Sequence, residues 1–182
     1  MSKTTHVVAI LDCSGSMGSL QEEVISNFNK FLKEQQAVKG KAKLTLVTFD
    51  DQYNLVYDKV KLKDVEPITN NEYIIGGMTA LNDAVGKTVS KMINKKKVIL
   101  FIHTDGAENS SQEYTAEQVQ ALVKSKEDEW EVMFVGAGID AQTTGSNLGF
   151  QVTDCFSTTR TADDLQVSYA SFSANTVAYR TA

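Results

Sequence analysis

Val7-Val8-Ala9-Ile10-Leu11-Asp12-Cys13-Ser14-Gly15-Ser16 is an unbroken apolar run that stops at an acid and is followed by two serines two residues apart. Five consecutive apolar residues without polar alternation read as a strand buried on both faces, the kind found in parallel sheets. Ending that strand on Asp12, with Ser14 and Ser16 just beyond, concentrates small oxygen donors at its carboxyl end. Hard divalent cations such as Mg²⁺ are held by such oxygens, usually one or two carboxylates with waters completing the octahedron. The stretch therefore offers half of a cation site, and the other half must come from elsewhere in the chain.

Two later segments supply it. Gly76-Gly77-Met78-Thr79-Ala80-Leu81 places a threonine hydroxyl in a glycine-rich loop just ahead of an amphipathic stretch, and Val98–Thr104 runs as a second buried strand into Asp105-Gly106. Around these pieces, strand and helix signals alternate. Ser19-x-x-Glu22 has the form of a capping box, with Leu20, Val24, Phe28, Phe31 and Leu32 at helical spacing. Leu44–Phe49 and Leu55–Val60 flank Asp50-Asp51 as a hairpin. Leu81, Val85, Val89, Met92 and Ile93 form a second helical stripe, and Thr115-x-x-Gln118 opens a third helix through Val119, Leu122 and Val123. Glu131–Val135 and the short Gln151–Cys155 read as strands, and Leu165, Tyr169, Phe172 and Val177 mark a last helix. Such alternation predicts a mostly parallel sheet covered on both faces, with the hairpin adding one antiparallel edge strand. Ligands of such sheets sit at the carboxyl ends of the strands, where strand order reverses.

The ordered set of DxSxS, a loop threonine preceded by glycine, and a strand-terminal Asp-Gly resembles the metal-ion-dependent adhesion site of the von Willebrand factor A (vWA) family. Met78-Thr79-Ala80-Leu81-Asn82-Asp83-Ala84, Thr104-Asp105-Gly106-Ala107-Glu108-Asn109 and the closing Ala178-Tyr179-Arg180 look like its small bacterial and phage members. The likeness covers nearly the whole chain. It implies one three-layer, Rossmann-like domain over 1–182, with a six-stranded sheet and helices on both faces. It also implies a Mg²⁺ site, with Mn²⁺ as substitute, ligated by Asp12, Ser14, Ser16, Thr79 and Asp105. In the implied sheet order Asp12 and Asp105 end adjacent central strands, so fold logic and motif point to the same place. Asp12 and Ser14 are expected in a solvent-facing loop.

Bulk properties narrow the setting. The 182 residues are 42% hydrophobic with one proline, Pro67, which fits an ordinary globular chain. No stretch has the apolar length of a membrane span, and the first apolar run is too short for a signal peptide, so a cytoplasmic protein is expected. Cys13 and Cys155 both fall at predicted strand ends. Two strands separate them in the implied order, roughly 14 Å at ~4.8 Å per strand, whereas a disulfide needs Cα atoms within about 7 Å. Both are expected as free thiols. A net charge of −5 argues against nucleic-acid binding. The lysines at Lys41/Lys43, Lys59/Lys61/Lys63 and Lys95–Lys97 read as a solvated face, the last run at the sheet end opposite Asp105.

Three other motifs compete with this reading. Gly136-Ala137-Gly138-Ile139-Asp140-Ala141 fits the dinucleotide pattern G-x-G-x-x-A, but it follows a late strand and precedes a segment broken by Gly145 and Gly149, so a tight turn is expected. Gly86-Lys87-Thr88 lacks the first glycine of a P-loop, that position being Leu81, and lies within a predicted helix. A serine nucleophile with His103 as base has no G-x-S-x-G elbow. His103, inside an apolar strand, reads as a core histidine or one just behind the ligands, and His6 as structural.

The chemistry favours binding over catalysis. Three of the five implied ligands are neutral hydroxyls, so an ion held there keeps much of its charge and accepts an anionic oxygen from outside, most simply a Glu or Asp of a partner protein. No general base is evident for metal-assisted hydrolysis. Asp50, Asp51, Glu108 and Asp140 form an acidic rim in loops at the carboxyl end. Such a rim repels an acidic partner within roughly a Debye length of ~8–10 Å unless the cation is present. Two other readings stay open: a metal-dependent hydrolase or phosphotransferase using the same ion, and an assembly protein with a vestigial site.

Overall fold

The computed structural model describes residues 3–182. Six strands form one sheet in the order β3-β2-β1-β4-β5-β6. They are β1 (Thr5–Asp12), β2 (Ala42–Phe49), β3 (Tyr53–Lys61), β4 (Val98–Thr104), β5 (Trp130–Ala137) and β6 (Cys155–Thr158). All neighbours pair in parallel except β2 and β3, the expected hairpin, whose register shifts near Leu46. The chain leaves β1 towards β2 on one side and returns to β4 on the other, so β1 and β4 straddle the reversal of strand order.

Five helices cover the sheet: α1 (Gln21–Gln36), α2 (Leu81–Met92), α3 (Ala116–Lys124), α4 (Ala141–Asn147) and α5 (Ala162–Thr181). Alternate side chains of the central strands point to opposite faces. Val7, Ala9 and Leu11 meet α1 and α5, while Val8 and Ile10 meet α2, α3 and α4. Every residue of β4 is buried, which is why its sequence reads as continuous apolar rather than alternating. Each such aliphatic side chain contributes about 1.5–3 kcal/mol by leaving water. On the first face Phe31, Phe172 and Phe101 stack with centroids 4.7 and 4.5 Å apart, and Tyr169 meets Phe101 edge-on at 5.1 Å. This stack locks α5 onto the sheet and so fixes where its first turn lies.

Three local expectations are corrected. Ser19 and Glu22 do not form a capping box. Gly15–Leu20 coils as a 3-10 turn that buries Met17 and Leu20, and α1 begins at Gln21 with no side-chain cap. The last strand starts at Cys155 rather than Gln151, because the pairing of Phe134 with Cys155 sets its start and the preceding Val152–Asp154 is a 3-10 turn with Val152 exposed. In α5 the fourth core position is Thr176 rather than the half-buried Val177. The box at Thr115 and Gln118 does form, with both reciprocal bonds.

Candidate metal centre

Asp12 ends β1 and is fully buried. One carboxylate oxygen, Oδ1, accepts the Ser14 amide at 2.8 Å, and the other, Oδ2, accepts the Thr104 hydroxyl at 2.6 Å. Burial pushes its pKa up from the ordinary carboxylate value, the bonds from Ser14 and Thr104 oppose this, and the nearby Asp105 charge adds to the rise. Ser14 Oγ lies 3.3 Å from Ser16 Oγ, which donates to Asp105 Oδ1 at 2.7 Å. Thr79 is buried, and its Oγ1 packs against Gly106, 3.1 Å from where a Cβ there would stand. Asp12, Ser14, Ser16 and Asp105 are thus linked through successive hydrogen bonds and backbone, with Thr79 facing them across Gly106. The expectation that Asp12 and Ser14 face solvent is corrected: only Ser16 of the DxSxS residues is exposed among the three ligands.

Backbone ties hold the three contributing loops together. The Gly76 amide donates to Cys13 O at 3.0 Å and the Gly15 amide to Gly77 O at 3.1 Å, while the Tyr73 hydroxyl donates to Asp12 O. Gly77 adopts φ +73°, which glycine permits, and the Asp50 and Asp51 carboxylates fill the space a side chain there would need. The Thr79 amide donates to Asn109 Oδ1 at 2.9 Å, and the Asn109 amide returns a bond to Thr79 O at 3.0 Å. Further along, the Asp83 carboxylate accepts the amides of Gln112, Glu113 and Tyr114, which pins the loop after β4 to α2.

Residues 6–168 match the sequence profile of the von Willebrand factor type A domain. The chain belongs to that family. A comparison with curated proteins finds no match. Among solved structures, the vWA fold recurs in VWA2, the ArnB paralogue of Sulfolobus acidocaldarius, at 16% identity and TM-score 0.68, over 92% of this chain and 44% of that one. It recurs in the mussel byssus proximal thread matrix protein 1 with a zinc-occupied MIDAS motif, at 16% identity and TM-score 0.66, over 93% and 47%. It recurs again in the vWF domain of the type V pili tip protein Mfa5 of Porphyromonas gingivalis, at 11% identity and TM-score 0.70, over 97% and 96%. The chain spans less than half the length of the first two.

The donor set suits a hard divalent cation: two carboxylates and three hydroxyls, all oxygen. Among the described residues no three His, Cys, Asp or Glu side chains converge, so a centre here depends on the hydroxyls. Asp105 Oδ2 is a buried oxygen without a hydrogen bond, and a buried carboxylate left so is costly. It is ion-paired with a group the sequence reading missed, the Arg160 guanidinium, 2.8 Å away. Thr104, Tyr73 and Asn109 were missed as well. A hydroxyl one residue before Asp105 and an arginine at a helix start, one of two arginines in the chain, were the available signals.

The expected rim is only partly a rim. Asp51 is exposed and receives one long bond, from the Met78 amide at 3.4 Å. Asp50 accepts the Gln52 amide, and Asp140 caps α4 through Thr143. Glu108 is half-buried and accepts the amides of Asn82, Ser110 and Ser111 and the Ser111 hydroxyl, so it is a tie between loop and helix rather than a free charge. The remaining candidates fall as bland features. Gly138 turns at φ +71° with its amide bonded to Thr158 O, Gly86-Lys87-Thr88 lies inside α2, and Cys13 and Cys155 are free, buried thiols pushed up by burial to about 12 and about 11. His103 is buried against Phe101 and Tyr169, and burial holds it down at about 4.

Proposed function

We propose that this vWA domain is a divalent-cation-dependent protein-binding module that takes an acidic side chain of a partner, and that it is not an enzyme. The observation that carries the reading is the pairing of two buried carboxylates, Asp12 and Asp105, with the hydroxyls of Ser14, Ser16 and Thr79 from two separate loops, one carboxylate oxygen lacking any hydrogen bond. A bound Mg²⁺ or Mn²⁺ would supply a position open to an anionic oxygen from outside. Asp12 and Asp105 supply the charge that retains the cation, and Ser14, Ser16 and Thr79 supply neutral donors that leave it attractive to a further anion. Around that point Met78 and Ile74 are exposed apolar side chains on the loop that carries Thr79. They offer dry contact area beside the polar centre, the arrangement of a binding surface. Asp51 disfavours an acidic partner unless the cation offsets it. His103, on the strand that ends at Asp105, is buried against Phe101 and Tyr169, out of reach of a substrate, which leaves hydrolysis without a histidine base.

Thermal unfolding with added Mg²⁺ or Mn²⁺ tests the reading. A ligand of the folded state at a hundredfold its Kd adds about 2.7 kcal/mol, roughly 5–10 °C for a chain of this size. Ser16→Ala should abolish that shift at a cost of about 1 kcal/mol to the cation-free fold, because Ser16 is exposed but donates to Asp105; Asp12→Ala should abolish it and lower the baseline further, because it strips partners from the Ser14 amide and Thr104 hydroxyl. In partner titrations Thr79→Ala should weaken binding more than stability. Equal partner affinity in Mg²⁺ and in EDTA would sink the cation-dependent mechanism.

A further inference from the structure

Arg160 lies in the segment 159–161 between β6 and α5, and its side chain, 43% exposed, reaches back to the metal centre. One nitrogen, Nη2, makes both of its contacts: it donates to the Ser16 carbonyl and stands 2.8 Å from Asp105 Oδ2. Asp105 Oδ2 nonetheless makes no aligned hydrogen bond. A guanidinium matched to a carboxylate uses two nitrogens in parallel; here a single one is divided between two acceptors and points well at only one.

The segment that carries it is braced independently. Asp164 Oδ2 accepts both the amide and the hydroxyl of Thr159, and Thr161 caps α5 by accepting the Asp164 amide. The arginine stem crosses Gly138, where a Cβ would stand 2.9 Å from its Cδ. The backbone at 160 is therefore held without help from the guanidinium, and release needs only rotation about the side-chain bonds towards solvent.

We propose that Arg160 is a tethered surrogate cation, an internal latch that competes with the divalent ion for Asp105 and swings out when the ion binds. The proposal rests on the metal reading above. A guanidinium 2.8 Å from Asp105 Oδ2 and a divalent ion held by the same carboxylate repel one another at close range, so the two are alternative partners. The latch balances the Asp105 charge at low cation concentration, raises the concentration needed to load the centre, and couples loading to exposure of a free guanidinium beside the partner surface.

Isothermal titration of the full chain with Mg²⁺ alone, for wild type, Arg160→Gln and Arg160→Lys, tests it. If the latched form outnumbers the open one by about ten to one, Arg160→Gln should bind Mg²⁺ about tenfold more tightly, since the apparent affinity is reduced by the open fraction. Arg160→Lys, keeping the charge, should fall between. The chain has two arginines, so the ¹⁵N spectrum of the guanidinium groups in wild type provides a second readout. On Mg²⁺ saturation the Arg160 signal should move to the free-arginine position while Arg180 stays still. Equal or weaker Mg²⁺ binding by Arg160→Gln, or an unmoved Arg160 signal at saturation, overturns the latch and leaves the metal reading standing if Ser16→Ala still abolishes binding. Absence of Mg²⁺ binding in every variant overturns both.

Discussion

The two arginines of this chain sit at opposite ends of the sheet and of α5, and they are held in opposite ways. Arg180, near the amino ends of the strands, donates from Nη1 to Gln35 O and Oε1 at 2.6 and 3.1 Å and from Nη2 to Val38 O at 3.1 Å. It lies in the last turn of α5, where a cation also favours the helix dipole. Its donors meet carbonyls in and just after the last turn of α1 and the Gln35 side chain. Arg160, at the carboxyl end, shares one nitrogen between a carbonyl and a carboxylate. Arg180 thus has several aligned acceptors supplied by the fold, whereas Arg160, beside the candidate centre, has one. Lys41, Lys43, Lys61 and Lys63 join Arg180 around a cavity of about 350 Å³. That arrangement sets a basic amino end against an acidic carboxyl end, despite the net charge of −5.

The largest expected effect bears on the two histidines, one towards each end of the sheet. Burial holds both below their ordinary value, and Lys95, Lys43 and Lys59 add to the effect at His6. His103, depressed from 6.5 to about 4, contributes stability that is present above pH 6.5 and is lost as pH falls through the window from 6.5 to 4. A shift of that size corresponds to on the order of 3 kcal/mol. His103→Gln should flatten the stability profile between those limits and leave the Mg²⁺ response intact. A profile unchanged by the substitution would mean that the ring titrates alike in the folded and the unfolded chain.

Next in size is the direct test of the arginine contrast. Hydrogen bonds from a charged group contribute about 1.5–3 kcal/mol when buried; with partial exposure, Arg180→Ala should cost about 2 kcal/mol. Arg160→Ala removes a partly exposed guanidinium while Asp105, itself buried, keeps its bond from Ser16, so it should cost about 1 kcal/mol in the absence of divalent cations. Chemical denaturation of both variants in EDTA checks this, and similar losses would erase the distinction between a structural and a displaceable guanidinium.

The smallest effect separates two acids of the carboxyl end. Glu108→Gln removes acceptors that four donors share, so about 1–2 kcal/mol should be lost, with faster amide exchange at Asn82, Ser110 and Ser111. Asp51→Asn, exposed and nearly free, should stay within about 0.5 kcal/mol while still weakening cation dependence of partner binding. Equal exchange behaviour in both variants would return Glu108 to the rim.

Much was legible in sequence because its signals are local or ordered along the chain. The apolar runs at Val7–Leu11 and Val98–Thr104 marked strands buried on both faces, Asp50-Asp51 marked the hairpin turn, and Thr115 with Gln118 marked a helix start. These depend on neighbours within a turn of chain, where side-chain periodicity and capping act. The same locality explains the misreading at Ser19: a cap was spelled in the sequence, but burying Met17 and Leu20 coiled the segment another way. Glu108 was misread because one of the amides it accepts, that of Asn82, belongs to α2, invisible to a pattern that sees only an acid in a loop.

By itself the sequence determined the order of strands and helices and the family, and it singled out Asp12, Ser14, Ser16, Thr79 and Asp105 as candidate donors, since each is announced by the residues beside it. Only the tertiary structure decided how those donors are partnered. Thr104 reaches Asp12 across 92 residues, Tyr73 reaches it across 61, and Arg160 reaches Ser16 across 144. Such contacts depend on β1 lying beside β4 and on α5 being locked by the Phe31–Phe172–Phe101 stack, which aims its first turn at the centre. Hydrogen bonds and charges act over a few ångströms, so which ones form is set by the packing of the sheet and its helices and not by separation along the chain.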